Sequence, residues 1–450
     1  MNSLACTNRR SFLKQIGLAG LATPFLTRNL FAASPNSKLN HVSFGASGMA
    51  ASDLGVITHH DFVNFVAVAD VDLKRTESLK KSFPELHVYQ DWRELLDKEK
   101  NIDCANVSTP DHMHGPIGMS VMQRGIHLYG QKPLTHDIYE TRQMTLMARE
   151  KKLSTQMGIQ IHSDKEYRLA VQVIQDGTIG KVKEVHTWSN KKWGDMAALP
   201  TQTDPVPKDF NWDLWLGVCA ERPFIGNGYY HPGNWRKRLD FGTGTFGDMG
   251  CHIYDPVFDA LSLTAPLSVR SEGPAPNATN WAINAEIHYL FPGTKFTDGN
   301  TVKVIWYDGD AHPPKDIADL LGNDDAGKPR KIPGQGSIFI GTKGVMLLPH
   351  IAKPELFPKA QFADFALPKV KAVNHWTHWL EGCRGGEKPW ANFDYSGPLT
   401  EAVLLGSVAT RFPKATLEWN AAALKFTNTA EANQYVRRAY RKGWEVKGLS

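Results

Sequence analysis

Cysteine is scarce in this chain, with five in 450 residues. Cys6 lies near the start, and Cys104, Cys219, Cys251 and Cys383 are far apart, with no close pair of the kind that frames structural zinc or a redox dithiol. An oxidising compartment would permit a disulfide, which the spacing does not pair, and four mostly buried thiols are the expectation. No run of about 18 consecutive apolar residues occurs, so a membrane-spanning helix and stable membrane insertion are not expected. An excess of one charge sign is also lacking: the formal net charge is +5. Arg9, Arg10, Lys14 and Arg28, with no acid among the first 34 residues, supply four of those five, which leaves +1 for the rest. A nearly neutral body gives no electrostatic case for nucleic acid. Internal repeats are absent as well. What is present is 42% hydrophobic and 22% charged residues, ordinary for a globular protein, in a length that suits two or three domains.

The first 34 residues read as an export signal. Asn8-Arg9-Arg10-Ser11-Phe12-Leu13-Lys14 is similar to a twin-arginine (Tat) motif, a mildly apolar run follows at 16–26, and Ala32-Ala33-Ser34 offers small residues for cleavage. An ordinary amphipathic helix is the plainer alternative. The expectation is a protein handed folded to the Tat export machinery and delivered to the periplasm or beyond. That route suits a protein that must acquire a nucleotide in the cytoplasm first.

Apolar runs at 41–44, 65–69 and 103–107, with short strands at 87–89, 127–129 and 154–158, alternate with helical patterns at 50–59, 73–83, 92–98, 116–124 and 137–152. Continuous apolar strands alternating with helices predict a doubly wound parallel sheet, a Rossmann domain over 38–158. Over 159–430 the character changes. A helix at 165–176, a strand at 182–189 and long Trp- and Pro-rich loops to 238 precede a helix at 246–263. Strands at 269–272, 284–290 and 303–307, a hairpin at 337–340 and 344–348, and helices at 374–384 and 399–411 follow. The fold class is α/β: the Rossmann domain, then an α/β domain for substrate binding and oligomerisation with a large open, mostly antiparallel sheet. Residues 431–450 are expected as a C-terminal tail.

Candidate chemistry sits at strand ends, where ligands bind in open α/β sheets. Gly45-Ala46-Ser47-Gly48-Met49-Ala50 occupies the place of a dinucleotide fingerprint, with Ser47 and Ala50 at the second and third glycine positions. Asp70, 25 positions after Gly45, is placed to accept both hydroxyls of an adenosine ribose, which favours NAD; Arg75 nearby leaves NADP open. Asp70 as a helix cap is the alternative. Thr109, Pro110, His112 and His114 follow the fourth strand, and two nearby His with no third ligand do not make a metal site. Gln131-Lys132-Pro133 follows the fifth. Lys132 is placed to bond a substrate hydroxyl and help move its proton. Asp248 and His252, four apart after Gly242-Thr243-Gly244-Thr245, share a helix face, and His252 suits acid–base work near neutral pH. Asp248 as a helix cap competes with that role.

Two of these stretches carry a family resemblance. Thr109-Pro110 with the His that follow, and Gln131-Lys132-Pro133, resemble the Thr-Pro-x-x-x-His and Glu-Lys-Pro motifs of the Gfo/Idh/MocA family of NAD(P)-dependent oxidoreductases. The Gly-rich loop with Asp248-x-x-x-His252, and Gln160-Ile161-His162-Ser163, resemble further segments of that family and of its secreted members. The resemblance covers about residues 41–411. It implies a Rossmann domain holding NAD, with the 45–50 loop, Asp70, Thr109, Pro110, His112, Gln131, Lys132 and Gln160 around the cofactor. It implies Lys132, Asp248 and His252 as catalytic residues, and His162 and Tyr167 facing a carbohydrate-like small molecule, in a homo-oligomer. Beside it, the aromatic-rich stretch Trp193, Trp212, Trp215, Tyr229, Tyr230, His231, Trp235 and Arg236 offers rings for sugar faces and donors for hydroxyls, with core and dimer packing as the alternative. Gln131 stands where the family has Glu and lacks its charge. The expectation is that Gln131→Glu leaves folding intact and shifts the pH–rate profile. Net oxidation or reduction of a sugar or polyol hydroxyl is the main reading. NAD-dependent glycoside hydrolysis by transient oxidation and elimination is one alternative, and a non-catalytic sugar binder is another.

Overall fold

Six strands whose apolar residues face both ways make the first sheet: β1 (Leu39–Phe44), β2 (Val63–Ala69), β3 (His87–Tyr89), β4 (Cys104–Val107), β5 (His127–Gly130) and β6 (Thr155–Met157). The computed structural model describes residues 38–324 and 326–450. The Tat motif, its cleavage site and Cys6 lie outside the described residues. All six strands are parallel in the order β3-β2-β1-β4-β5-β6. Helices α1 (Met49–Ile57), α2 (Glu77–Ser82), α3 (Trp92–Lys98), α4 (His114–Gln123) and α5 (Ile138–Glu150) join them. Because the winding reverses between β1 and β4, the loops leaving those two strands diverge and open a crevice at their carboxyl ends.

The second region is helix α6 (Lys165–Gln175), strand β7 (Val182–Ser189), short helix α7 (Trp212–Leu216), and helices α8 (Gly244–Ile253) and α9 (Asp255–Leu261). Strands β8 (Ser268–Ser271), β9 (Glu286–Pro292) and β10 (Thr301–Asp308) follow, then helix α10 (Lys315–Asp319) and strands β11 (Gln335–Gly341), β12 (Val345–Pro349) and β13 (Glu355–Phe357). Helices α11 (His375–Cys383) and α12 (Phe393–Ala409) precede strands β14 (Thr416–Asn420) and β15 (Lys425–Phe426). The nine strands run β13-β12-β11-β7-β10-β9-β8-β14-β15, and only β7 and β10 pair in parallel. Strand β9 alternates strictly: Ile287, Tyr289 and Phe291 are buried while Glu286, His288 and Leu290 are half-buried, the pattern of a sheet with one face on a core.

Helix α12 is largely apolar and, past its first turns, buried on every side, as a helix enclosed by other elements must be. It packs against α5 of the first sheet's layer and against α8 and β8 of the second, so one continuous core spans both regions. Its start is earlier than the pattern at 399–411 predicts. The Asn392 side chain caps it by accepting from the Asp394 N–H, and burial outweighs Pro398 inside it, an interruption worth about 3 kcal/mol. The single helix expected at 246–263 is two, because Pro256 has no N–H to continue the ladder and instead starts α9. The helix expected at 73–83 begins as a tight 3-10 turn, Leu73–Thr76, before α2.

Residues 431–450 do not hang as a tail. Val436, Trp444, Val446 and Leu449 are buried, the Arg438 N–H donates to Asp137 (3.1 Å), and the Tyr440 hydroxyl donates to Glu140 (2.6 Å). The four described cysteines are free and buried. Among the described residues no helix is long and apolar enough to cross a membrane.

Candidate active site

The crevice between β1 and β4 holds a cleft of about 190 Å³. Its floor is the Gly45–Gly48 turn. A Cβ on Gly45 would lie 2.7 Å from the Ser108 carbonyl oxygen, so only glycine lets the two strand-end loops close on each other. Gly48 has φ +62° with nothing within 4 Å of a Cβ position, leaving its backbone open toward the start of α1. Asp70 sits at the end of β2, accepting from the Ala46 N–H (2.9 Å) and the Asp72 N–H (3.0 Å). Burial pushes its carboxyl above the usual range, opposed by those two N–H groups. Arg75 is drawn away from Asp70: it donates to Asp72 (3.1 Å), His231 (3.0 Å) and Ser47 (2.8 Å).

Ser47, Gly48, Met49, Asp70, Thr109, Pro110 and His112 all line this cleft, as do Trp235 and Arg236 from the second region. Ala50 is buried beneath the turn rather than on the wall. His112 is also fixed, bonded through Nε2 to the Trp215 carbonyl (2.8 Å), and burial pushes its imidazole down to about 3. His114 bonds the Pro133 and Thr109 carbonyls (2.8 Å each). Among the described residues no group of three His, Cys, Asp or Glu is placed to hold a metal ion. These residues fit a dinucleotide: the 45–48 turn and the start of α1 would take the pyrophosphate, Asp70 the adenosine ribose, and Thr109 and Pro110 the nicotinamide half.

At the far side, Lys132 after β5 meets α8. Its Nζ lies 2.5 Å from Asp248 Oδ1 and donates to the Asp248 carbonyl (2.8 Å); the two side chains are 9% and 7% exposed. Lys191 (3.5 Å) and the Trp193 indole N–H (2.9 Å) reach Asp248 Oδ2, and Arg236 reaches Oδ1 (3.2 Å). Burial alone would raise the Asp248 carboxyl; the charges of Lys132, Arg236 and Lys191 outweigh it and hold the group far below the carboxylate range. One turn on, His252 keeps a buried Nδ1 with no hydrogen-bond partner. Burial, followed by the Lys132 and His350 charges, pushes its imidazole well below the usual value, so it is neutral near pH 7. The His252 ring lies 6.0 Å from that of His350, whose Nδ1 bonds the Tyr167 hydroxyl (2.8 Å).

Gln131 lies under this site, not in it, and the carboxylate missing from its position is supplied from elsewhere. Gln131 Nε2 donates to both oxygens of Asp53 (2.9 and 3.1 Å), which also accept from the Trp376 indole (2.9 Å) and the Ser108 hydroxyl (2.7 Å). Burial pushes the Asp53 carboxyl up to about 6, against the pull of those neutral donors. Gln131→Glu would set one buried carboxylate against another, so its expected effect on folding depends on pH.

The structure thus brings Lys132, Asp248, His252, Arg236 and Tyr167 into one region. His162 is turned elsewhere, its Nδ1 2.8 Å from Asp255 in a buried pair that raises its pKa despite burial. Gln160 contacts the Tyr129 hydroxyl at 3.4 Å. Lys191 and His350 were missed by sequence reasoning. Both follow strand ends of the second sheet, β7 and β12, so the strand-end argument applied to the first sheet was the signal available for them. Asp53 had a signal too: it lies with Ala50, Leu54 and Ile57 on the buried stripe of α1, where a carboxylate demands partners.

A parallel sheet with a dinucleotide crevice, closed by a second region carrying proton-handling groups, defines a nucleotide-dependent redox protein. Residues 39–159 match the family model of the oxidoreductase family with NAD-binding Rossmann fold, and 172–322 match that family's C-terminal alpha/beta domain. The chain belongs to the Gfo/Idh/MocA family. A glycosyl hydrolase family 109 protein from Shewanella sp. strain ANA-3 is 25% identical over 203 residues, covering 39% of this chain and 44% of that protein. The match thus spans less than half the length of that relative. Levoglucosan dehydrogenase from Pseudarthrobacter phenanthrenivorans is 26% identical over 92 residues, 20% of this chain and 23% of its own. In fold, the chain is similar to the WlbA dehydrogenase from Bordetella pertussis, solved with NADH and UDP-GlcNAcA: TM-score 0.59, 14% identity, covering 86% of this chain and 98% of that one.

Proposed function

We propose that this protein is an exported NAD-dependent oxidoreductase acting on a hydroxyl of a carbohydrate or polyol. The observation that carries the reading is the meeting of Lys132 with Asp248 and His252, from two separate regions, beside a cleft fitted to a dinucleotide. Bound nicotinamide supplies hydride acceptance or donation. The chain supplies the rest. Asp248, ionised and anchored by three cations and an indole, fixes the Lys132 ammonium against α8. Lys132 Nζ then donates to the substrate hydroxyl oxygen. His252, held neutral by burial and by the charge of Lys132, has an unengaged ring nitrogen with which to take the hydroxyl proton or return it. Trp193 and Trp235, with the Arg236 guanidinium over both rings, offer apolar faces and a donor to a sugar.

A second reading has a specific observation behind it. Residues of the second region, Trp215, His231, Pro232 and Trp235, wall the cleft, and His231 is tied to Arg75 and Asp72 across it. A cleft latched in this way suits a retained NAD that is reduced and reoxidised within one turnover, as net glycoside hydrolysis by oxidation and elimination needs. The glycosyl hydrolase relative points the same way. Export by the Tat route and a homo-oligomer built on the half-exposed face of the nine-stranded sheet complete the proposal.

The test is to denature purified protein, identify any released nucleotide, and then assay sugars and aryl glycosides. NADH formation marks the dehydrogenase; released aglycone without net NADH marks the hydrolase. Lys132→Met and His252→Ala should each lower turnover about 100-fold or more while bound NAD remains, on the scale of general acid–base catalysis. Near-normal turnover in both would remove this site. Normal periplasmic yield of the Arg9→Lys, Arg10→Lys double variant would remove the export reading.

A further inference from the structure

Away from the cleft, a cavity of about 240 Å³ lies between the start of α5, the 239–243 loop, α12 and the C-terminal segment. No residue of the dinucleotide cleft lines it, nor do Lys132, Asp248 or His252. Two guanidiniums do: those of Arg411 and Arg438. Among the described residues neither guanidinium makes a direct ion pair, although burial of the Arg438 cation is offset by the nearby Cys219, Glu140 and Asp137. Arg438 spends one nitrogen, Nη2, on the Cys219 sulfur (3.1 Å) and the Asp240 carbonyl (3.2 Å), while its Nε and Nη1 are buried with no hydrogen-bond partner. The Ser407 hydroxyl, also on the wall, is buried and partnerless too.

Buried donors left unpaired are costly, so three of them on one cavity wall point to a group that accepts from them. The two carboxylates on the wall are already engaged. Asp137 accepts from the N–H groups of Glu140 and Arg438, and Asp240 pairs with Arg222. His136, Thr243 and Gln434 add polar groups, and one side of the wall is apolar and aromatic: the Arg411 guanidinium lies over the rings of Trp281 (5.1 Å) and Tyr435 (4.4 Å), with Leu404 and Val408 beside them. Two guanidiniums with no direct ion pair, a free hydroxyl and flat apolar walls match an anion carried on an apolar body.

We propose that this cavity is a second ligand site, taking a small organic carboxylate. Its carboxylate accepts from Arg438, Arg411 and Ser407, and its apolar part lies against Trp281 and Tyr435. The site is coupled in position to the reaction centre. Thr243 lines the cavity, and its N–H and hydroxyl hold Asp111 (3.1 and 2.7 Å) one residue before α8, which carries Asp248 and His252.

Calorimetric titration of the full chain with sodium benzoate, at constant ionic strength set with chloride, tests this, with inorganic phosphate titrated in parallel. One saturable benzoate site per chain is expected, weakened about tenfold or more in Arg411→Gln and about threefold or more in Ser407→Ala, as loss of charged and neutral hydrogen bonds implies. Circular dichroism checks each variant, and if Arg411→Gln does not fold, Ser407→Ala decides. Absence of saturable benzoate binding, or equal affinity in the wild-type and folded variant proteins, overturns the site. Saturable phosphate binding without benzoate binding overturns the organic carboxylate.

Discussion

Asp53 and Asp248 are both buried carboxylates near the same active centre, yet their chemistry is opposite. Asp53, in the first region, is surrounded by neutral donors from Gln131, Trp376 and Ser108, and burial pushes it up to about 6. Asp248, in the second, faces Lys132, Lys191 and Arg236, and stays ionised far below the usual range despite comparable burial. At Asp53 the neutral donors only soften the desolvation of the charge; at Asp248 opposite charges reverse it. The first region therefore holds a carboxylate that titrates near physiological pH, and the second a fixed anion that anchors a catalytic cation.

The largest test of this contrast is Asp248→Asn. It leaves three cations around a neutral group, and breaking such a buried pair should cost about 3–5 kcal/mol in urea unfolding at pH 7. The folded carboxyl is depressed, so its contribution is complete above about pH 4, the unfolded value, and fades only as the pH falls well below it. A loss under about 1 kcal/mol would mean that the cations do not depend on Asp248.

Next is Gln131→Glu. Two adjacent buried carboxylates cannot both ionise, so one keeps a raised pKa. A carboxyl raised by folding stabilises below its unfolded value and loses that contribution as pH rises through the folded one. The variant should lose about 3 kcal/mol at pH 8, recover near pH 5, and be rescued by adding Asp53→Asn. Equal stability of variant and wild type at pH 8 would separate the two residues.

Asp53→Asn alone isolates the same group. The wild type should lose about 2–3 kcal/mol between pH 4 and pH 7 relative to the variant, the equivalent of a carboxyl raised to about 6. Parallel stability curves would show that Asp53 is not raised.

The smallest effect belongs to Asp70, a half-buried carboxylate on the cleft wall, held by two backbone N–H groups. Asp70→Asn should weaken NAD about tenfold in titrations of nucleotide-free protein and narrow the preference over NADP, since its charge repels a 2′-phosphate. Tighter NADP than NAD in the wild type would pass the role to Arg75.

Much of the first region was legible because its determinants are local. A continuous apolar run makes a strand buried on both faces, and Gly45 and Asp70 are set by their distance from strand ends, so a parallel sheet follows from the alternation of elements, while the order of its six strands came from the structure. The pairing of Lys132 with Asp248 was legible only as two motifs; their contact spans 116 positions, and spacing says nothing about distance at that range. Lys191 and His350 join them for the same reason. Helix α12 outran its pattern because burial past its first turns overrides an internal proline, and 431–450 packs down because Arg438 and Tyr440 find Asp137 and Glu140 about 300 positions away. The amino-acid sequence by itself determined the elements, the parallel sheet and the identity of the reactive side chains, since periodicity, glycine and strand ends act over a few residues. Only the tertiary structure decided which of the buried carboxylates is charged, because ionisation depends on every group that folding brings within a few ångströms.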